Sequence, residues 1–467
     1  MPSHAEAAAG YTDLMVACRD GAVDAVNIHI AAGAAIDAKN AKGSTSLTVA
    51  SAGGHTGCAA LLLAQGADVN VTNAGGLTAL MAAAAGGHTP TAVALIAAGA
   101  DVEASTPTGI TSLILATQRG HGETVSTLLE AGAKANARTA DGNTSLLFAC
   151  SLGQSAVITR LAAANADVNA TTTGVDHSSG LMLASAKGDA ATVDALLSVS
   201  ADVNLVRKHG ITALMLAARG GHGEVAARLC EAGALISVVN DEGLTALLLA
   251  TDAATVGALL GAPDVGIALD VTDEDGSTAL MLASGRGDAS TVSQLISAGA
   301  NVALANSRGW TALMFACQGY GIETVEALLG AGAAVDARSS EGVTSLLISS
   351  ASGNATAAAA LIRHHAQVEE ADAEGRRSLM LATRAGSQEG IAVLLEAGAS
   401  VDALTLDGWR AAMFAEARGD EVGREALAML RAAGAQELSE NESALAVGFS
   451  EEEAAEALKA VADAQAR

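Results

Sequence analysis

Apolar positions in this chain recur in a fixed phrase rather than in long blocks. Around Thr78, "GLTALMAAAAGGHTPTAVALIAAGADVEAS" puts apolar residues two, three and five places after the threonine, one stripe at helical spacing. The spacing predicts a helix from about Thr78 with the threonine as N-cap, a Gly-Gly-His turn, a second helix, and a glycine stop. The phrase returns at Thr45, Thr78, Thr111 and Thr144, then at Thr212, Thr245, Thr278, Thr311 and Thr344, 33 residues apart within each run. Weaker copies begin at Thr12, Ser179, Arg377 and Arg410, which makes thirteen units with a two-residue insertion between Thr144 and Ser179. A period of this length predicts a solenoid, because no unit can bury its apolar face alone.

The residue five places after the phrase start is nearly always alanine, as in Ala50, Ala83, Ala116 and Ala149, and small side chains let neighbouring helices approach closely. The second half of a unit reads "GHGETVSTLLEAGAKAN" or "GHTGCAALLLAQGADVN". These residues resemble the ankyrin repeat, T-P-L-H-x-A followed by G-H-x-E-x-V-x-x-L-L-x-x-G-A-D-V-N, over roughly residues 11–435. The resemblance implies an all-α ankyrin-repeat solenoid of stacked helix-turn-helix units with β-hairpin-like finger loops. It also implies a non-catalytic scaffold that grips partner proteins in a concave groove of finger tips and first helices. Residues 1–10 are expected to be an N-terminal extension, and 436–467 an acidic helical tail. Thirteen layers spaced about 8–10 Å apart would form an arc on the order of 110–130 Å long.

The phrase departs from the family in one systematic way. Its Pro is Ala or Ser, and its His is Met81, Leu147, Met182, Met215, Met281 or Met314. In the family that His ties adjacent repeats, so cohesion here is expected to rest more on apolar packing, at about 25 cal/mol per Å² buried.

Composition narrows the function. Acidic residues number 51 against 25 basic ones, a net charge of -26 that repels nucleic acid and anionic membranes. Nothing reads as a secretion signal or membrane span, so a cytoplasmic or nuclear monomer is expected. The five cysteines, Cys18, Cys58, Cys150, Cys230 and Cys317, form no CxxC pair and signal neither a disulfide framework nor zinc. No phosphate loop or nucleophile elbow is present, and Asp176, His177 and Ser178 are too close in sequence to converge as a triad. No cofactor, metal or catalysis is expected. His55, His88, His121 and His222 occupy the turn after Gly and read as turn hydrogen-bonders. His365, Asn165 and Ser200 replace the helix-ending Gly, which normally adopts a left-handed conformation.

Candidate binding residues lie where the unit varies. The finger position just before the phrase ranges from Ser44 and Ile110 to Val343 and Arg376, and both tryptophans, Trp310 and Trp409, occupy it. Trp is enriched at interface hot spots; the alternative is packing across a neighbouring finger. Arg119, Lys187, Arg219, Arg286 and Arg384 fall seven or eight places after the phrase start, and Lys208, Arg308 and Arg376 lie in fingers. Together they suggest a partner with an acidic or phosphorylated segment, although Asp141, Asp275, Glu341 and Asp407 in the same fingers fit a solvated mixed surface equally. The lengthened finger "TTTGVDHSSG" is a second candidate. The unit from Thr245 loses its Gly-His turn and adds loop around Pro263. The tail "ALAVGFSEEEAAEALKAV" looks like the first half of a ubiquitin-associated domain, with Gly448 and Phe449 at its Gly-Phe loop and a capping box at Ser450 and Glu453. A polar end cap and a ubiquitin-linked adaptor both fit it.

Overall fold

The computed structural model describes residues 9–174, 176–262, 264–319 and 321–447. They fall into two compact units, Met1–Val238 and Val239–Arg467. Both are stacks of paired short helices, and the described residues contain isolated β-bridges at the fingers but no longer strand.

Each first helix begins where the phrase predicts. Thr12, Thr45, Thr78, Thr111, Thr144 and Thr212 hold extended backbone and accept a hydrogen bond from the amide three residues on, as in Thr78 Oγ1 from Met81 N at 3.2 Å. Ser179 does the same, and Thr245, Thr278, Thr311 and Thr344 repeat it in the second unit. Arg377 and Arg410 stand at the same position without a side-chain cap. Left-handed glycines close the turns. Asn165, Ser200 and His365 adopt the same conformation at φ 60°, 63° and 67°, as their replacement of that glycine predicts.

The core of each unit is the lateral seam between layers. Met81, Leu147, Met182, Met215, Met281 and Met314 are buried, as are the alanines two places after them. Second helices after the first repeat add a fully buried leucine, as Leu62, Leu95 and Leu128 in the first unit and Leu295, Leu328 and Leu361 in the second. All five cysteines are buried and outside any disulfide, and burial pushes the Cys18, Cys150 and Cys317 thiols up to about 12.

Apolar packing does not act alone, and three polar seams join successive layers. Acceptors after the second helix receive the next layer's amide 31 residues on, as from Asp101 N to Asn70 Oδ1 (2.8 Å), Asp167 N to Asn136 Oδ1 (2.7 Å) and Gln367 N to Asp336 Oδ1 (2.9 Å). A second seam runs through the turns. His55, His88, His121 and His222 place Nε2 2.8, 3.1, 3.2 and 3.3 Å from carbonyls of the preceding layer. A carbonyl can only accept, so Nε2 carries the proton. The third seam links fingers. Ala41 N donates to Ala9 O, Ala74 N to Lys42 O and Ala140 N to Thr108 O in the first unit. Ser307, Ser340, Ala373 and Leu406 donate to Asp275, Arg308, Glu341 and Glu374 in the second.

The unit from Thr245 is irregular as expected. Its first helix, Ala246–Leu249, stops at an extended Ala250; Asp252 caps Ala253–Leu260, and a short helix Val265–Ala268 follows. Pro263 lies outside the described residues. The helix Glu440–Val447 packs on Ala411–Ala417, where the next layer's first helix would stand.

Candidate partner-binding surface

A finger is held open by one side chain. Asn306 Oδ1 accepts from Arg308 N (3.1 Å) and Trp310 N (2.9 Å), and Asn40, Asn240 and Asp372 fold their fingers the same way. Thr405 substitutes in the finger of Trp409. This bracket fixes the variable residue against the first helix that follows it.

In the second unit that arrangement yields two aromatic pairs. The Trp310 ring lies 5.3 Å from Phe315 at 59°, and Trp409 lies 5.1 Å from Phe414 at 48°, tilted geometries that suit the ring quadrupoles. The aromatic partner of each ring thus stands on the first helix of its own repeat. All four rings are half-buried. Phe315 lies against Gly285 of the preceding layer, where a Cβ would stand 3.5 Å from the ring. Arg308 holds its guanidinium 5.7 Å from the Trp310 centroid.

The phenylalanines belong to a stripe that the sequence reading passed over. Four places after each phrase start stands an apolar residue, Val49, Leu115, Phe148 and Leu183 in the first unit and Leu249, Leu282, Phe315 and Phe414 in the second. These residues are half-buried, whereas Val16, Leu216, Ile348 and Leu381 at the same position are buried. The signal was available, since one more apolar residue per phrase widens the stripe beyond what the core needs.

The cations divide into groups. Arg119, Arg219 and Lys208 are exposed and make no ion pair among the described residues. Lys208 and Arg219 belong to one repeat, in its finger and at the end of its first helix Ala213–Arg219. Lys187 Nζ instead donates to Ser151 O, and Arg286 Nη2 to Ala250 O at 3.4 Å, so both continue the turn seam. Arg376 is held by Asp372 at 2.7 Å and by Glu374. Arg384 is half-buried; burial lowers its proton affinity and nearby Arg376 lowers it further, against Asp372 and Glu374.

The lengthened finger is tied on both sides. Thr173 Oγ1 donates to Asp141 O at 2.6 Å, while Arg207 reaches Ser178 Oγ at 3.2 Å and Asp176 at 3.6 Å. Asp176 and Ser178 are thus partners of an arginine. No group of three or more His, Cys, Asp or Glu side chains among the described residues is placed to hold a metal. No helix there is long and apolar enough to cross a membrane. The residues that resemble a ubiquitin-associated domain from Gly448 onward, with Ser450 and Glu453, lie outside the described residues.

A family model described as ankyrin repeats (3 copies) matches residues 14–106, 92–172, 181–265, 252–339 and 313–405. No curated protein matches the chain.

Proposed function

Because the chain belongs to the ankyrin-repeat family, whose repeats are generally protein–protein interaction modules, we propose that it is a non-catalytic scaffold that binds partner proteins on its finger and first-helix face. One observation carries this reading: Trp310 and Trp409, the whole chain's tryptophan content, sit half-exposed on half-buried Phe315 and Phe414, with half-buried Leu249 and Leu282 in the repeats before Trp310. Rigid aromatic anchors with adjoining apolar surface are what interface hot spots are made of.

Arg308, stacked on Trp310, belongs to the same anchor. Arg376 and Arg384 form its second rank, since carboxylates already hold the first and burial weakens the second. Arg119, Arg219 and Lys208 are the cations ready to meet an acidic or phosphorylated segment on the first unit. Lys187 and Arg286 would join them only by leaving their carbonyl partners.

Affinity capture from native cell extract, with the intact protein against Trp310→Ala and Trp409→Ala, tests the reading. The captured set should shrink while the circular dichroism melt stays close to that of the parent. An unchanged set with both tryptophans replaced removes the proposal.

A further inference from the structure

Fingers of the second unit such as those of Gly276, Gly309 and Gly375 lie against the backbone of the next finger; the finger at residues 403–409 has no such cover, and a Cβ on its Gly408 would meet nothing within 4 Å. In the second unit the amides of Ser307, Ser340, Ala373 and Leu406 each reach back to the preceding finger, the last to Glu374 O at 3.0 Å. By that register the Asp407 carbonyl should receive the amide of Ser439. It does not, because the chain runs from Ala435 straight into the helix Glu440–Val447 without building a finger. Ser439 N goes instead to Glu442 Oε2 at 2.7 Å. Arg410 fixes that detour, donating to Gln436 O at 3.2 Å, Glu437 O at 3.1 Å and Glu442 Oε2 at 2.9 Å. The Asp407 carbonyl accepts no hydrogen bond among the described residues.

The sequence changes at the same place. The positions equivalent to Leu406 in the second unit are Glu274, Ser307, Ser340 and Ala373, and those equivalent to Leu404 are Thr272, Ala305, Arg338 and Ala371. Val239, at the Leu404 position of the unit's first finger, is also apolar and 47% exposed, but only the last finger carries a pair of such residues, Leu406 at 78% and Leu404 at 56% exposure. An exposed apolar residue beside an open backbone acceptor is the usual recipe for added-strand docking. The nearby cations are engaged, Arg376 by Asp372, Arg410 by Asp402 and Glu442, and Arg377 at the Leu404 carbonyl. Exposed Asp407 and Glu440 leave the rim acidic.

We propose that the finger 403–409 is a docking edge for an extended segment of another protein that alternates apolar and basic residues, its backbone amide donating to the Asp407 carbonyl and its apolar side chain covering Leu404 and Leu406. This goes beyond the aromatic groove, and the two can fail separately.

The probe is a synthetic nonapeptide alternating Val and Lys, titrated into the full chain and followed by calorimetry. Binding is expected to weaken at least tenfold in Leu404→Ser/Leu406→Ser, whose charge is unchanged and whose melt should match the parent because both side chains are exposed. Trp310→Ala should leave it intact, which separates this edge from the groove. An N-methylated peptide lacking its donors should lose binding, as should a Val/Glu peptide. Equal binding of the leucine variant, the methylated peptide or the acidic peptide overturns the proposal. Two other occupants are read in the same series. If Phe449→Ser/Leu458→Ser raises peptide affinity tenfold, the chain's own tail fills the edge and the proposal falls. It falls likewise if sedimentation shows self-association that the leucine variant abolishes.

Discussion

The two units lean towards different solutions of the same turn, with Asp189 and Lys187 in the first unit already following the pattern of the second. In the first, His55, His88, His121 and His222 precede their second helices without capping them and spend Nε2 on the preceding layer. In the second, Asp288, Asn354, Ser387 and Asp420 cap their own helices. The backward bond then comes from an arginine, Arg286 to Ala250 O and Arg418 to Arg384 O, or from the cap residue itself, Asn354 Nδ2 to Gly319 O and Ser387 Oγ to Gly353 O. A short side chain can satisfy its own helix, whereas an imidazole reaches past it. Reach has a steric consequence. A Cβ on Gly188 would lie 2.6 Å from His222 Nδ1, while one on Gly287, at nearly the same φ of 71°, meets nothing within 4 Å.

That contrast supplies the largest expected effect. Gly188→Ala should cost about 3 kcal/mol, left-handed strain plus displacement of His222, against about 1 kcal/mol for Gly287→Ala, in urea unfolding. Equal costs would mean that the imidazole seam imposes no constraint. The buried thiols give each unit its own reporter. With Cys150 and Cys317 pushed up to about 12 by burial, neither should react with a thiol reagent at pH 8 until its unit opens. Single-cysteine variants therefore show which unit each glycine change loosens.

A smaller effect, about 2 kcal/mol, is expected from Gly180→Ala. Its Cβ would stand 2.6 Å from Cys150 Sγ, in a core with no room to give. Adding Cys150→Ala should recover most of the loss, since the two positions share one contact. The helix Glu440–Val447 of the second unit should respond to acid. Hydrogen bonds from Ser439, then Arg410, hold the Glu442 carboxyl below its ordinary value. Its contribution is therefore complete above that ordinary value and is lost as pH falls through the depressed one, below the usual carboxylate range. Hydrogen exchange at Ala446, buried against the unit, should accelerate over that window, and in Glu442→Gln it should be fast at neutral pH as well. The smallest change is Ser112→Ala. The Ser112 hydroxyl is buried without a partner, and alanine holds the equivalent position at Ala79 and Ala213, so the substitution should be neutral or stabilise by up to about 1 kcal/mol.

The fold was legible where the signal is local. Thr78 announces a helix start because its cap partner is three residues away, and Gly87 a turn because its φ is its own property. The aromatic site was legible in part. The position of Trp310 and Trp409 stood out in the sequence, but their Phe partners belonged to an apolar stripe that reads as core until burial is known. Lys187 and Arg286 read as groove cations, because nothing local says that a carbonyl 36 residues earlier lies within reach.

By itself the sequence determined the 33-residue period, the N-caps, the left-handed stops including His365, and the acidic balance, all of which depend on neighbours along the chain. Only the tertiary structure decided which polar groups spend their hydrogen bonds between layers and which face water. It alone revealed that the chain after the last repeat leaves the finger of Leu406 uncovered. Those outcomes depend on distances across the stack, where a shift of one ångström makes or breaks a hydrogen bond, and no pattern along the chain encodes that distance.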